Sequence, residues 1–325
     1  MSEIRTSIAP RRPSIFAANA LYLAAAAGLV LMPMAIDPLA ALLRFLFPAL
    51  KTEELLLAST LVYYLPLLVA PCLIYAGRRQ LWDGLRLTEP LSPAAAIYSA
   101  LAAIASVPMG ASVALLWMRL LACVGLEAGG AAVYVPHTVS GLILAVFYMG
   151  AFPALAEELA FRGLVLGAWE RRGRLRALAV SSLLFASLHG SVAGFPAQLL
   201  LGFVLGALAQ GSGSLWAGII FHTVYNSLIL ISEYTVENLL PAAEAAAAAE
   251  PAVIQTALDA LLFGAVVLFF VRRVWRVGKR SGAAAKAARE PGGLRAGETL
   301  LLVSGVVTAL YLYGVDVLEM LGVLK

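Results

Sequence analysis

The chain has 325 residues, 62% of them hydrophobic and only 13% charged, with a mean hydropathy of +0.90. A soluble protein carries about 25% Asp, Glu, Lys and Arg, so these proportions exclude a soluble globular domain, a disordered chain and a disulfide scaffold, and they put the chain in a bilayer. The net charge of +4 does not point to nucleic acid, because the basic residues sit at the ends of apolar segments with no aromatic-basic face between them.

A hydrocarbon core of about 30 Å takes roughly 20 apolar residues of helix, and about nine such stretches recur, predicting an all-α, polytopic transmembrane bundle. In chain order they span approximately 16–36, 55–76, 93–124, 139–169, 175–189, 194–210, 215–231, 255–271 and 300–321. Residues 1–137 thus hold three N-terminal spans, 138–232 a core of the fourth to seventh spans, and 233–325 an acidic external loop followed by two spans. The first stretch follows Arg5, Arg11 and Arg12 but exceeds the 7–15 residues of a signal-peptide core, so it reads as an uncleaved first helix. Cys72 and Cys123 lie inside apolar runs and read as buried small hydrophobes.

Alternating the spans from a cytoplasmic N-terminus puts the arginines near 5–12, 78–86 and 171–176, and the basic run from Arg272 to Arg295, on one side. Of the other basic residues, Arg44, Lys51 and Lys325 fall outside, and Arg119 and Arg162 lie within spans. The positive-inside rule therefore predicts a cytoplasmic N-terminus and an external C-terminus in a cell (cytoplasmic or inner) membrane. The loop holding Glu233, Glu237, Glu244 and Glu250 has no Lys or Arg, as an external loop can; Pro241 and Pro251 bracket a short alanine-rich helix there. Residues 272–298 read as a solvated linker whose basic cluster anchors topology or meets anionic lipid. No internal repeat, Walker loop, Rossmann glycine fingerprint or Cys-x-x-Cys pair is present.

A charge at the centre of a membrane helix costs about 2.5–3.5 kcal/mol even on a lenient insertion scale, so polar residues at membrane depth are informative. Three clusters stand out. The fourth span carries Glu157-Glu158-Leu159-Ala160-Phe161-Arg162, whose ionisable groups would cost on the order of 8–10 kcal/mol if each faced lipid. Glu158 and Arg162, at i and i+4, read as a structural ion pair, whereas Glu157 points about 100° away, toward a cavity. The fifth span carries Phe185-x-x-x-His189; alone, His189 would read as a packing residue. The seventh carries His222-x-x-x-Asn226, an imidazole beside a carboxamide, which interhelical hydrogen bonding alone would explain. The coincidence adds weight: of three histidines, two join Glu157 in polar clusters on neighbouring spans. His137 reads as a surface residue of an external loop.

Taken in order, Glu157-Glu158-x-x-x-Arg162, Phe185-x-x-x-His189 and His222-x-x-x-Asn226 resemble the three-motif signature of the CPBP family of intramembrane proteases. That family is also called the CAAX-protease and bacteriocin-processing, or ABI, family and includes the type II CAAX prenyl endopeptidases. The resemblance covers roughly residues 140–231. It implies a hydrolase in which Glu157, assisted by His189, activates a water while His222 and Asn226 stabilise the oxyanion, a division of roles that the chemistry of amide hydrolysis also favours. No Gly-x-Ser-x-Gly elbow, Cys/His pair or His-Glu-x-x-His helix offers another route. Glu157, His189 and His222 also match the donor count of a catalytic zinc site; the metal-free version is preferred, with zinc as its alternative. The implied substrate is a membrane-embedded or lipidated protein or peptide entering from the bilayer, and counting residues from the Arg171 cluster predicts water access from the cytoplasmic side. Two other classes stay open: a non-catalytic membrane partner or immunity protein of the same family, and a transporter using the Glu/His cluster.

Overall fold

In the computed structural model, which describes residues 12–48, 60–126, 135–240, 251–280 and 292–323, each apolar stretch forms a helix, and no strand occurs among the described residues. We label these helices α1 (Ile15–Leu46), α2 (Thr60–Arg79), α3 (Pro93–Ala122), α4 (Val139–Arg172), α5 (Arg174–Leu188), α6 (Phe195–Ser212), α7 (Trp216–Leu239), α8 (Val253–Arg280) and α9 (Ala296–Met320). By length and apolarity, 7 of the described helices suffice to cross a membrane. The two that fall short are α5, with 15 residues, and α7, whose 24 residues include His222, Thr223, Asn226 and Ser227. These two carry the histidine motifs. The chain is an all-helical, multi-pass membrane protein. The alanine-rich segment, much of the basic linker, and Arg5, Arg11, Lys51 and Lys325 lie outside the described residues.

Local sequence sets where the helices begin and turn. Ser14, Ser92 and Thr138 sit just ahead of α1, α3 and α4, and each side chain accepts a hydrogen bond from a backbone N–H of the first turn. Gly173, at φ 112°, reverses the chain between α4 and α5, and Gly213, at φ 76°, does so between α6 and α7. α2 and α4 are not uniform α-helices. π-turns span Leu65–Val69, Val146–Ala151 and Glu158–Val165, with i→i+5 bonds such as Phe152 N–H to Phe147 O. Pro66 and Pro153 lie in or beside the first two, where a missing N–H already interrupts the ladder.

The core is apolar but encloses a number of polar side chains, and the outer face of the bundle is apolar as well. Asn19, Ser99, Ser106, Glu158, Arg162 and Ser182 are fully buried, while Leu261, Leu262, Leu268 and Phe269 on α8 are exposed as a lipid-facing surface. α8 packs along α3, α1 along α9, and α5 along α6. At one end, Arg12 and Arg86 clasp the 3%-exposed Glu170, the Arg171 guanidinium donates to the Arg12 carbonyl at 2.8 Å, and Arg174 donates to Gln210 O at 2.8 Å. Residues 86–89 dock on the start of α7 through Leu215 N–H to Arg86 O and Ser214 Oγ–H to Glu89 O. The opposite end is held by Trp117 Nε1–H to Val192 O at 2.8 Å and Val192 N–H to Asp316 Oδ2 at 2.6 Å. Cys72 is buried as its apolar run implies, but Cys123 is exposed, because α3 ends at Ala122 and the apolar sequence continues past the packed part of the helix. His137 is exposed.

Candidate active site

Glu157 sits midway along α4, where an α-turn passes into the π-turn beginning at Glu158. Its side chain lines two cavities, of about 640 Å³ and about 380 Å³, which it shares with Tyr64 and His189. One carboxylate oxygen, Oε1, accepts a 2.8 Å hydrogen bond from Tyr64 Oη–H of α2. The other, Oε2, lies 3.8 Å from His222 Nε2 and takes no hydrogen bond from a protein group among the described residues.

Glu158 points elsewhere. Its Oε1 accepts from Arg162 Nη1 at 2.9 Å, with both side chains wholly buried, and stands 3.3 Å from His222 Nδ1. The same oxygen that pairs with Arg162 therefore holds the imidazole. With Nδ1–H donated to Glu158, His222 turns Nε2 toward Glu157 and the larger cavity. Gly218, one turn before His222, allows this: a Cβ there would collide with Glu158 Oε2. Arg162 also donates to Gly202 O of α6 at 3.3 Å, and its guanidinium lies 4.3 Å from the centre of the Phe185 ring.

Phe185 is the spacer of the site. Its ring meets His189 edge-on at 4.8 Å and His222 at 5.9 Å, so one aromatic side chain sets both imidazoles. His189 Nδ1 lies 2.8 Å from Phe185 O; a carbonyl only accepts, so Nδ1 carries the proton and the lone pair is on Nε2. Asn226 lines the larger cavity and donates from Nδ2 toward Gly150 O at 3.5 Å, at the outer limit of a hydrogen bond. Glu157, His189, His222 and Asn226 thus line a single cavity, while Glu158 and Arg162 lie behind it. No group of three His, Cys, Asp or Glu side chains among the described residues is arranged to hold a metal. Of the donor set named for zinc, all three side chains line the larger cavity, with His222 Nδ1 on Glu158 and its Nε2 3.8 Å from Glu157 Oε2.

Tyr64 is absent from the sequence motifs. Its only local signal is a tyrosine pair, Tyr63-Tyr64, in an otherwise apolar span beside Pro66. Gln198 and Glu233, on the wall of the larger cavity, carry no motif either. Access is expected from the end that carries the arginine clusters, but the larger cavity leads toward the other end. The larger cavity runs from mid-depth past Gln198, in the first turn of α6, to Thr60 at the start of α2 and Glu233 late in α7. All three lie at the end away from the arginine clusters. The physical reason is the cross-bracing by Glu170, residues 86–89 and Gln210, which closes the arginine end.

The fold and this cluster define a multi-pass membrane protein with a chamber of about 640 Å³ inside it, in whose mainly apolar wall the Glu, His and Asn side chains are set. Residues 139–228 match the family model described as type II CAAX prenyl endopeptidase Rce1-like. The match bears out the resemblance carried by the three motifs: over this stretch the chain is similar to the type II CAAX prenyl endopeptidases. Comparisons with curated proteins and with solved structures return no match.

Proposed function

We propose that the chain is an intramembrane endopeptidase that hydrolyses a peptide bond in a membrane-associated or lipidated protein or peptide, with Glu157 as general base. The observation that carries this reading is the setting of Glu157 at the junction of two cavities, oriented by Tyr64 and facing His222, with His189 on the same walls. Glu157, assisted by the Nε2 lone pair of His189, takes a proton from water as its oxygen bonds to the scissile carbonyl carbon. The developing oxyanion is met by the Asn226 amide and by His222, which donates from Nε2 when both ring nitrogens carry protons. The proton held by Glu157 then passes to the leaving nitrogen as the C–N bond breaks, giving a carboxylate and an amine. In this reading every step uses the chain's own side chains, and none is routed through zinc.

The test is a mass-spectrometric comparison of protein N- and C-termini in membranes from the native host carrying wild type or Glu157→Gln at matched expression. Termini that vanish in the variant establish proteolysis and name the substrate. Unchanged termini, with the variant folded, overturn the reading in favour of a binding or transport role.

A further inference from the structure

The positions of charge and cavity together assign a side of the membrane to the reaction. The described basic side chains gather at one end of the bundle, in clusters at 78–86, 171–176 and 272–276 together with Arg12 and Arg295. At the other end only Arg44 and Arg119 are found among the described residues, and Arg119 donates to Pro251 O at 2.7 Å. An excess of Lys and Arg in short loops marks the cytoplasmic side, whereas acidic residues weigh little in orientation.

Both cavities lead away from that end. The larger one rises from His222 and Glu157 to Thr60, Gln198 and Glu233. The smaller one rises from Glu157 and His189 past Gly190 to Asp316 and Glu319 in the last turns of α9. No Lys or Arg lines either of them, and the outer parts of their walls carry the carboxylates Glu233, Asp316 and Glu319. On the arginine side, the Glu170 clasp and the 86–89 loop tie α1, α4 and α7 together. Among the described residues, both cavities that Glu157 lines therefore lead to the end away from the arginine clusters.

We infer that the chamber opens on the non-cytoplasmic face of the membrane and takes an extracytoplasmic stretch of a membrane-anchored protein rather than a tail presented from the cytosol. The substrate class rests on the protease reading above; the orientation does not. Two cysteine reporters separate them. In a Cys123→Ser background, with Cys72 fully buried, Glu319→Cys lies on the wall of the smaller cavity and Glu89→Cys in the loop at the arginine end, both exposed. With a membrane-impermeant maleimide on intact spheroplasts, Glu319→Cys is expected to label at once and Glu89→Cys only after permeabilisation. The reverse order overturns the proposal. If a variant fails to insert, the wild-type chain gives the same readout, because native Cys123 is exposed at the end where the cavities open.

The termini lost in Glu157→Gln membranes supply the second arm. Cuts mapped to extracytoplasmic stretches are expected, and cuts confined to cytoplasmic segments overturn the substrate class. Unchanged termini defeat the protease reading and the substrate class with it, while the labelling order still decides the orientation.

Discussion

Two adjacent carboxylates in one motif do different work because of where a turn of helix points them. Glu157 faces the chamber; Glu158 is shut between Arg162 and His222. Glu157→Gln keeps the shape and removes the base, so turnover is expected to fall by about 10²–10⁴-fold with little change in melting temperature, read by product formation and thermal unfolding in detergent. Arg162→Leu does the opposite kind of damage. It leaves Glu158 as an uncompensated buried charge, which costs about 3–5 kcal/mol, so a marked drop in melting temperature is expected before any question of activity arises. Tyr64→Phe removes only the 2.8 Å bond to Glu157; a hydrogen bond to a charged group contributes about 1.5–3 kcal/mol, and kcat is expected to fall about tenfold or more at unchanged KM. Chelator treatment is expected to leave kcat unchanged; loss of activity restored by zinc would reinstate the metal version. The motif spacing predicted the split between Glu157 and Glu158, since i and i+4 on a helix meet whatever surrounds them. It held no sign that Glu158 also holds His222, a contact across 64 residues of chain.

At the scale of the helices, the site depends on how closely α7 approaches α4. Gly218 is the point of approach, and Gly218→Ala drives a methyl group into the Glu158 carboxylate. Overpacking of that kind costs about 1–3 kcal/mol, and here it also displaces the partner of His222. The expected result is a lower melting temperature together with a larger loss of kcat than the stability change accounts for; normal kcat in a folded Gly218→Ala would show that the Glu158–His222 contact is dispensable. Hydropathy made the helices themselves legible, since stretches of about 20 apolar residues have one way to satisfy their backbone in a bilayer. The π-turns were not legible. They leave no composition signal beyond Pro66 and Pro153, and the one at Glu158–Val165 contains no proline at all.

For the whole molecule, the class of protein and its candidate site residues were legible in the sequence alone: hydropathy demands a bundle, and charged or imidazole side chains at membrane depth are costly enough to mark a candidate site. Those are properties of single residues and of their near neighbours along the chain. Tertiary structure alone decided the rest. Tyr64 reaches Glu157 across 93 residues, and no periodicity links them. Which nitrogen of His222 meets Glu158, and so which one faces Glu157, is a matter of helix rotation that no motif spacing reveals. The end toward which the cavities run was not legible from depth, because counting residues from a charge cluster gives a distance along one helix. Whether helices splay or close at a given end is set by contacts between them, and the salt bridges and backbone hydrogen bonds that seal the arginine end join residues up to 159 positions apart.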